Sequence, residues 1–154
     1  MVAGGPVTRR DLAFARARAP RLVAADGGAD RALACGHEPE AVIGDDDSLS
    51  DTARALLSGR IYRIAEQETT DFDKALRSIK ARFVLALGVA GGRLDHEMAV
   101  FNALVRHSGA PCLLIGAKDV VFHAPPKLEM RMAVGDRLSL FPMAAVTGRS
   151  EGLE

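Results

Sequence analysis

The sequence predicts an α/β fold, in which a mostly parallel sheet flanked by helices is followed by the start of an antiparallel β region. Short apolar runs alternate with helix-like stretches over the first two thirds of the chain, which is typical of a parallel sheet covered on both faces. After about Ala117 the helical pattern stops, and turn residues with alternating apolar positions indicate antiparallel strands.

Five short apolar runs are the predicted strands, because strands covered on both faces have few polar residues. They are Leu22–Ala25, Ala41–Ile43, Ile61–Ile64, Phe83–Leu87 and Cys112–Ile115. The opening residues, Met1–Val7, are expected to be too short for a comfortable first strand.

Two helices between these strands are predicted from apolar residues that recur with the 3.6-residue period. The two stripes are Phe72, Ala75, Leu76 and Ile79, then Leu94, Met98, Phe101 and Val105. Capping boxes predict two helix starts, since Thr70 precedes Asp73 by three residues and Ser48 precedes Asp51 by three.

The change of pattern after Ala117 predicts two domains, residues 1–117 and residues 118–154. Pro125-Pro126, the alternation in Leu128–Met132 and the Gly135-Asp136 turn predict two or three strands in the second. So few strands cannot form a sheet with its own core, so this domain is expected to be incomplete.

Composition excludes several classes of function. Twenty basic and twenty acidic residues cancel without a long run of one sign, so neither a nucleic-acid nor an anionic-membrane surface is predicted. Cys35 and Cys112 belong to no C-x-x-C pair and suit reduced thiols. With no export signal or membrane-length apolar run, the chain is predicted to be soluble and cytoplasmic.

Charged residues collect in the loops that follow the strands, where open parallel sheets bind their ligands. These loops are Asp26-Gly27-Gly28, Asp45-Asp46-Asp47-Ser48, Glu66–Asp71 and Gly91–His96. In extended chain, Asp45 and Asp47 would point to one side and Asp46 to the other. Mg²⁺ would turn their repulsion into attraction, with Asp71 as a further oxygen ligand. The alternative is a solvated acidic turn between capped helices.

Phosphate contacts are predicted beside this site. Gly27-Gly28 and Gly91-Gly92 end strands and open helices, which lets the backbone approach a phosphate, although such pairs are also ordinary turns. Lys74 and Arg93 are placed for phosphate oxygens, or are simply solvated surface cations. No G-x-G-x-x-G or Walker motif is present, which disfavours a standard dinucleotide or Walker-type NTPase fold.

The remaining acid and histidine residues leave their roles open. Asp95 is either a further metal or base group, or an acid favoured by the dipole at a helix start. No histidine spacing indicates a metal site, and no serine or cysteine sits in a triad motif. His96 is the one histidine in a predicted site loop.

Several of these loops together resemble the thiamine pyrophosphokinase family. "ADGGAD" is similar to the family's A-D-G-G-A-N, "IGDDDS" to G-D-F-D-S, "EQETTDFDKAL" to D-Q-x-x-T-D-F-x-K-A-L, and "GGRLDH" to G-G-R-x-D-H. "GDRLSLFP" and "TGRSEGLE" resemble the family's C-terminal β region. Order and approximate spacing are kept over nearly the whole chain.

The resemblance implies transfer of a diphosphoryl group from Mg-ATP to the hydroxyl of thiamine, giving thiamine diphosphate and AMP. It implies a homodimer, with an α/β catalytic domain at residues 1–117 and a partial β-sandwich, thiamine-binding domain at residues 118–154. Such transfer needs positioning and charge neutralisation more than a protein nucleophile. The implied site residues fall into three groups. They are Asp45, Asp47 and Asp71 for Mg²⁺; Asp71, Lys74, Arg93 and Asp95 for catalysis; and Asp26, Gly27, Gly28, Gln67, Thr70, Gly92 and Arg93 for ATP.

The sequence also departs from the family pattern. Asp46 stands where the family usually has an apolar residue, and the family continues through further strands beyond the equivalent of Glu154. The 154-residue chain is therefore expected to be limited in activity by itself. Two alternatives remain, namely a related diphosphokinase acting on a hydroxymethylpterin, and a nucleotide- or thiamine-binding module without catalysis.

Overall fold

The computed structural model describes residues 1–153 and divides the chain into two units, residues 1–123 and the remainder. The first unit contains all the helices and strands of the described chain. The helices are Arg9–Arg16 (α1), Gly28–Ala34 (α2), Asp51–Leu56 (α3), Asp71–Ser78 (α4) and Leu94–Arg106 (α5), with a 3₁₀ turn at Ser58–Arg60. The strands are Val23–Ala25 (β1), Ala41–Gly44 (β2), Ile61–Arg63 (β3), Val84–Leu87 (β4), Cys112–Ile115 (β5) and Val120–Phe122 (β6).

The predicted α/β fold is confirmed, with all five predicted strands within one residue of their expected ends. β1, β2 and β3 are parallel neighbours in that order, and β4 pairs in parallel with β5. β6 then adds to β5 in the antiparallel direction. Short parallel strands joined by helices are the expected outcome of apolar runs that are buried on both faces.

The opening residues form no strand of their own, as expected, but Val2 lies between two strands. Val2 forms parallel bridges to Ala24 of β1 and to Leu87 of β4, and it is fully buried. Its amide donates to the carbonyl of Val23, and its own carbonyl accepts from Ala25. A single sequence does not show this bridge, because the partners of Val2 lie in two strands that are distant along the chain.

Alternate residues of the strands pack against different layers of helices. Ala25, Ile43, Val84 and Ala86 share a core cluster with residues of α4 and α5. Leu85 and Leu87 face the cluster that contains α1, while Ala24 and Val42 face residues of α2 and α3. This period of two places helices on both faces of the sheet.

The helix patterns are confirmed in position but not in every detail. Phe72, Ala75 and Leu76 of α4 are buried as predicted, and the Thr70 hydroxyl accepts from the amide of Asp73 at 3.3 Å. In α5 the buried residues are Val100, Ala103 and Leu104, and of the predicted stripe Phe101 is partly buried against the core. Leu94 and Met98 are 72% and 56% exposed, since the start of this helix is not covered by the core.

The capping box predicted at Ser48 is wrong by two residues. Ser50 is the N-cap of α3, where its hydroxyl accepts from the amide of Ala53 at 3.1 Å. Ser48 instead donates its hydroxyl to Asp47 and its amide to Asp26. Both serines lie just before α3 and serine is a preferred N-cap, so the sequence alone did not show which of the two caps the helix.

Residues 124–153, described by themselves, contain no helix or strand. The strand predicted from the alternation in Leu128–Met132 is therefore wrong, and Leu128, Met130 and Met132 are exposed in this unit. A strand needs a neighbouring strand to pair its backbone N–H and C=O groups, and two or three short segments offer too few such neighbours. The Gly135 turn is present, because Gly135 has a φ of +92° and Asp136 donates to the carbonyl of Ala133 at 3.1 Å. Within residues 1–153 no helix is both long and apolar enough to cross a membrane.

Candidate active site

Two acidic residues lie side by side at the carboxyl end of β1 and β2. The parallel register pairs Ala25 with Ile43, so Asp26 and Asp45 follow at the same edge of the sheet. The amide of Asp26 donates to the carbonyl of Ile43 at 3.0 Å, which continues the pairing past the strand. Sheet topology therefore brings together acids that are 19 positions apart in the sequence.

Asp26, Asp45 and Asp47 form a group of carboxylates that a single cation can contact. One carboxylate oxygen of each lies within 4.8 Å of the others. Asp26 is only 2% exposed, and its Oδ1 is buried without a hydrogen-bond partner, while Oδ2 accepts from the amide of Ser48 at 3.0 Å. Burial raises the pKa of Asp26, and the charges of Asp71 and Asp45 raise it further.

Lys74 joins this group to the start of α4. Its ammonium is 3.1 Å from Asp45 Oδ2 and 3.0 Å from Asp71 Oδ1, and the residue is 1% exposed. Burial opposes its charged form, but the hydrogen bonds to Asp71 and Asp45 raise the pKa of Lys74 overall. The side chain predicted to meet phosphate oxygens is thus held inside the protein, between two carboxylates.

Asp45 has the largest number of polar partners at this edge. Gln67 Nε2 donates to Asp45 Oδ2 at 2.9 Å, and the amide of Asp47 donates to Oδ1 at 3.4 Å. Burial opposes ionisation, but hydrogen bonds from Lys74 and Gln67 bring the pKa of Asp45 below its usual value. Gln67, predicted to lie near the phosphates, therefore contacts a carboxylate of the candidate cation site.

Gly44 allows these loops to approach one another closely. A Cβ at this position would lie 2.7 Å from the Cβ of Asp26 and 3.0 Å from Asp71 Oδ1. Gly44 was not among the predicted site residues, although it ends a strand directly before three acids. Glycine is required here for space, because a Cβ at the end of β2 would push Asp26 and Asp71 away.

The backbone of the acidic loop is turned, and the extended geometry assumed for it is wrong. Asp46 has a φ of +74°, in the left-handed region, so Asp45 and Asp47 approach each other through a turn. Asp46 forms a side-chain ion pair with Arg54 of α3. Its carbonyl also accepts from Arg54 Nη2 at 2.7 Å. Neither Arg54 nor this pairing was predicted.

Two further residues fix the loop. Asp30 of α2 accepts from both the amide and the hydroxyl of Ser50, with the amide bond at 3.1 Å. Glu66 organises the neighbouring loop, where it accepts from the amides of Glu68 and Thr69 at 2.8 and 3.0 Å and pairs with Arg77. Hydrogen bonds from Thr69 lead the causes that lower the pKa of Glu66 to about 2.

The glycine pairs have different surroundings. A Cβ on Gly28 would overlap the carbonyl of Val2, and one on Gly27 would lie 3.3 Å from the Cβ of Ser48, so both permit close packing of the chain. Gly92 has open space around it. The amides of Gly91 and Gly92 donate to a carboxylate oxygen of Glu97, at 2.7 and 3.1 Å. Their amides can thus bind an anionic oxygen.

Arg93 and Asp95 are paired with each other at the surface. Arg93 Nε donates to Asp95 Oδ1 at 3.1 Å, and the two side chains are 73% and 62% exposed. Hydrogen bonding between them raises the pKa of Arg93 and lowers that of Asp95. His96 is also exposed and is not part of the carboxylate group. This loop is thus not bonded to the buried acids.

The donor set fits a hard divalent cation. Carboxylate oxygens are the ligands that Mg²⁺ prefers, and the unpartnered Oδ1 of Asp26 supplies a buried acceptor that lacks a donor. Within residues 1–153 the group that meets this geometry is Asp26, Asp45 and Asp47. Asp71 adjoins it through Lys74 and the amide of Asp45, which donates to Asp71 Oδ1 at 3.3 Å.

Comparison with known proteins identifies the family. The family model described as thiamin pyrophosphokinase, catalytic domain, matches residues 15–114. The chain belongs to the thiamine pyrophosphokinase family. The match spans β1 to β5, and thus the loops that carry the acidic residues. The resemblance inferred from the four loop motifs is confirmed.

Individual thiamine pyrophosphokinases support the same assignment. Thiamine pyrophosphokinase 1 of rice (Oryza sativa subsp. japonica) is 29% identical over 161 aligned positions, covering 83% of this chain and 61% of the rice protein. Thiamin pyrophosphokinase from Geobacillus thermodenitrificans is 29% identical with a TM-score of 0.60, covering 74% of this chain and 57% of that one. The enzyme from Candida albicans, at 18% identity and a TM-score of 0.67, shares the fold.

The chain spans about three fifths of the length of these relatives. The matched part contains the acidic edge of the sheet and the Gly91–Asp95 loop. All three relatives are named for thiamine.

Proposed function

We propose that the chain contributes the nucleotide- and cation-binding part of a thiamine diphosphokinase. The reaction transfers a diphosphoryl group from ATP to the hydroxyl of thiamine, giving thiamine diphosphate and AMP. The observation that carries the proposal is the convergence of Asp26, Asp45 and Asp47, with a buried oxygen of Asp26 lacking a donor, in a chain of this family.

Asp26, Asp45 and Asp47 would hold Mg²⁺, with Asp71 as the adjoining acid of the predicted set. When bound, the ion supplies positive charge against the phosphate oxygens of ATP. Lys74 holds Asp45 and Asp71 in place from inside the protein, so it positions the acids instead of gripping a phosphate. Its hydrogen bonds fix both carboxylates before any ligand binds.

We further propose that the loop before α5 contributes the phosphate contacts. Arg93 is exposed and forms an ion pair with Asp95, which is also exposed. Arg93 can therefore exchange Asp95 for a phosphate oxygen without leaving an unpaired charge inside the protein. The amides of Gly91 and Gly92, which now donate to Glu97, offer a second anion contact at a helix start. Asp95 remains a candidate acid, while the Thr70 hydroxyl is used in capping α4.

The acceptor and the assembly are proposed on the family relationship. Thiamine is the acceptor named by the relatives, and residues 118–154 are retained as the start of a thiamine-binding domain. A homodimer is supported by the exposed apolar residues Leu94 and Met98 at the start of α5. A cytoplasmic location is supported by the free thiols of Cys35 and Cys112.

The deciding experiment measures products and cation binding together. The purified chain is incubated with Mg²⁺, ATP and thiamine, and AMP and thiamine diphosphate are quantified by chromatography. Mn²⁺ binding is followed in parallel by electron paramagnetic resonance. Asp47→Asn is expected to lower both by about tenfold or more, because one ligand of three is lost.

Asp51→Asn is the matched control, since Asp51 is exposed, lies four residues further on and loses the same charge. It is expected to stay within about twofold of wild type in both measurements. Equal effects of the two substitutions would contradict the proposed cation ligands. Ligand binding without any AMP would favour the non-catalytic binding module.

A further inference from the structure

The middle acid of the three, Asp46, occupies an unusual backbone conformation. Its φ of +74° lies in the left-handed region, which is strained for a residue other than glycine, although aspartate tolerates it better than most. This turn is what brings Asp45 and Asp47 toward a shared point. The turn therefore needs a contact that stabilises its strained backbone. It also needs a positive charge that offsets the carboxylate of Asp46, which lies beside two other carboxylates.

Arg54 meets both needs from one side chain. Its guanidinium pairs with the carboxylate of Asp46, and its Nη2 donates to the carbonyl of the same residue at 2.7 Å. The planar guanidinium can contact two acceptors together, which a lysine ammonium does less well. Arg54 lies on α3, whose N-cap Ser50 is itself bonded to Asp30.

We propose that Arg54 is a positioning residue for the divalent cation. By binding both polar groups of Asp46, it keeps the loop turned so that Asp45 and Asp47 face the cation with Asp26. The inference rests on the proposed cation site. It also gives a role to the acid that departs from the family pattern, because Asp46 provides the carboxylate that Arg54 binds.

Substitution of Arg54 changes cation affinity in opposite directions for a positioning role and for a purely electrostatic one. Removal of the Arg54 charge leaves Asp46 unneutralised, so electrostatics alone would tighten the binding of a divalent cation. Loss of positioning would weaken it, since partners that orient metal ligands are typically worth about tenfold or more in affinity. Weaker binding in Arg54→Met therefore identifies the positioning role.

Arg60 provides a matched control on the neighbouring 3₁₀ turn. Its side chain is 44% exposed, against 41% for Arg54, and it likewise contacts a carboxylate and a carbonyl, those of Glu38 and Pro39. Neither partner belongs to the carboxylate group. Arg60→Met thus removes the same charge and a similar pair of contacts away from the site.

The experiment measures the dissociation constant of Mn²⁺ for the purified chain by electron paramagnetic resonance at fixed ionic strength. Arg54→Met is expected to weaken binding about tenfold, and Arg60→Met to leave it within about twofold. Arg54→Met binding as tightly as wild type, or more tightly, would overturn the inference. If Asp45→Asn still abolishes binding in that case, the proposed cation site stands.

A second substitution covers the case in which Arg54→Met unfolds the chain, as judged by circular dichroism. Arg54→Lys keeps the charge but not the paired donors, and we expect binding about threefold weaker than wild type. Wild-type affinity in Arg54→Lys would overturn the positioning role, since charge alone would then suffice. Unchanged binding in Asp45→Asn would instead refute the cation site, and the inference with it.

Discussion

The two charged loops at the edge of the sheet differ in what holds their charges. In the loop after β2, Asp45 is bonded to Lys74, which is almost completely buried and also bonds Asp71. In the loop before α5, Arg93 and Asp95 are largely exposed and are bonded to each other. Buried ion pairs are costly to break, whereas exposed pairs contribute little to stability. The acidic loop is therefore fixed by the fold, and the basic loop is free to exchange partners.

Removal of Lys74 is expected to have the largest effect on the acidic loop. Lys74→Met leaves Asp45 and Asp71 without their shared cation, and we expect a loss of about 3 kcal/mol in the free energy of unfolding, the lower end for a buried pair because Asp71 is partly exposed. Urea unfolding measures it. Lys80→Met, at an exposed lysine, is the control. Equal losses in both variants would show that the buried pairs do not fix the acidic loop.

The second prediction tests whether the acidic loop depends on close approach. Gly44→Ala places a Cβ against Asp26 and Asp71, so we expect a loss of about 1–3 kcal/mol in the free energy of unfolding. Gly59→Ala is the control, because a Cβ on Gly59 would have nothing within 4 Å. Urea unfolding of both variants tests this expectation, and a Gly44→Ala protein as stable as Gly59→Ala would contradict it.

The third prediction uses pH to test the loop that carries Gln67. Hydrogen bonds from Thr69 and Arg77 lower the pKa of Glu66 from 4.5 to about 2. A lowered carboxyl pKa stabilises the fold above the unfolded value, and that contribution is lost as pH falls from about 4.5 toward 2.

Glu66→Gln should therefore have a lower Tm than wild type at pH 6, with the difference shrinking at pH 3. Thermal unfolding by circular dichroism at both values measures the difference. Glu68→Gln removes a charge from an exposed residue of the same loop, and its Tm difference serves as the reference. A Tm difference between Glu66→Gln and wild type that is the same at both pH values would show that ionisation of Glu66 does not cause it.

The smallest effect is expected in the basic loop. Arg93→Gln breaks an exposed pair, so its Tm should be indistinguishable from that of wild type by scanning fluorimetry. AMP formation should nevertheless fall, if Arg93 contacts phosphate as proposed. Arg82→Gln, at another exposed arginine, controls for the charge change. A clear drop in Tm for Arg93→Gln would mean that the two loops are more alike than their exposure indicates.

Much of the fold could be predicted because its signals are local. Apolar runs located the five strands, and the helical period located α4, since burial on a regular element repeats along the sequence. Val2 was missed because its partners, β1 and β4, are distant in sequence. In α5 the pattern located the helix but not its buried face, because the sheet covers Val100 and Leu104 and leaves Leu94 exposed.

The candidate site also has a part that local sequence signals predicted and a part that they did not. Loops after parallel strands were enough to predict that acids of separate loops meet, as Asp26 and Asp45 do, because topology places such loops at one edge. The contacts that shape the loop were not predictable. Arg54 lies eight residues after Asp46, and its pairing depends on a left-handed turn that the sequence does not mark. The role of Asp71 as a cation ligand stays a prediction.

The bridge formed by Val2 couples the two halves of the sheet. The amide of Ala25 donates to the carbonyl of Val2, and the amide of Leu87 donates to that of Met1, so both depend on two adjacent residues. Local opening of this segment would release both amides together to solvent exchange. Ala25 directly precedes Asp26, while Leu87 leads into the loop that carries Arg93. A fluctuation at the very start of the chain would therefore reach the acidic and the basic loop at once.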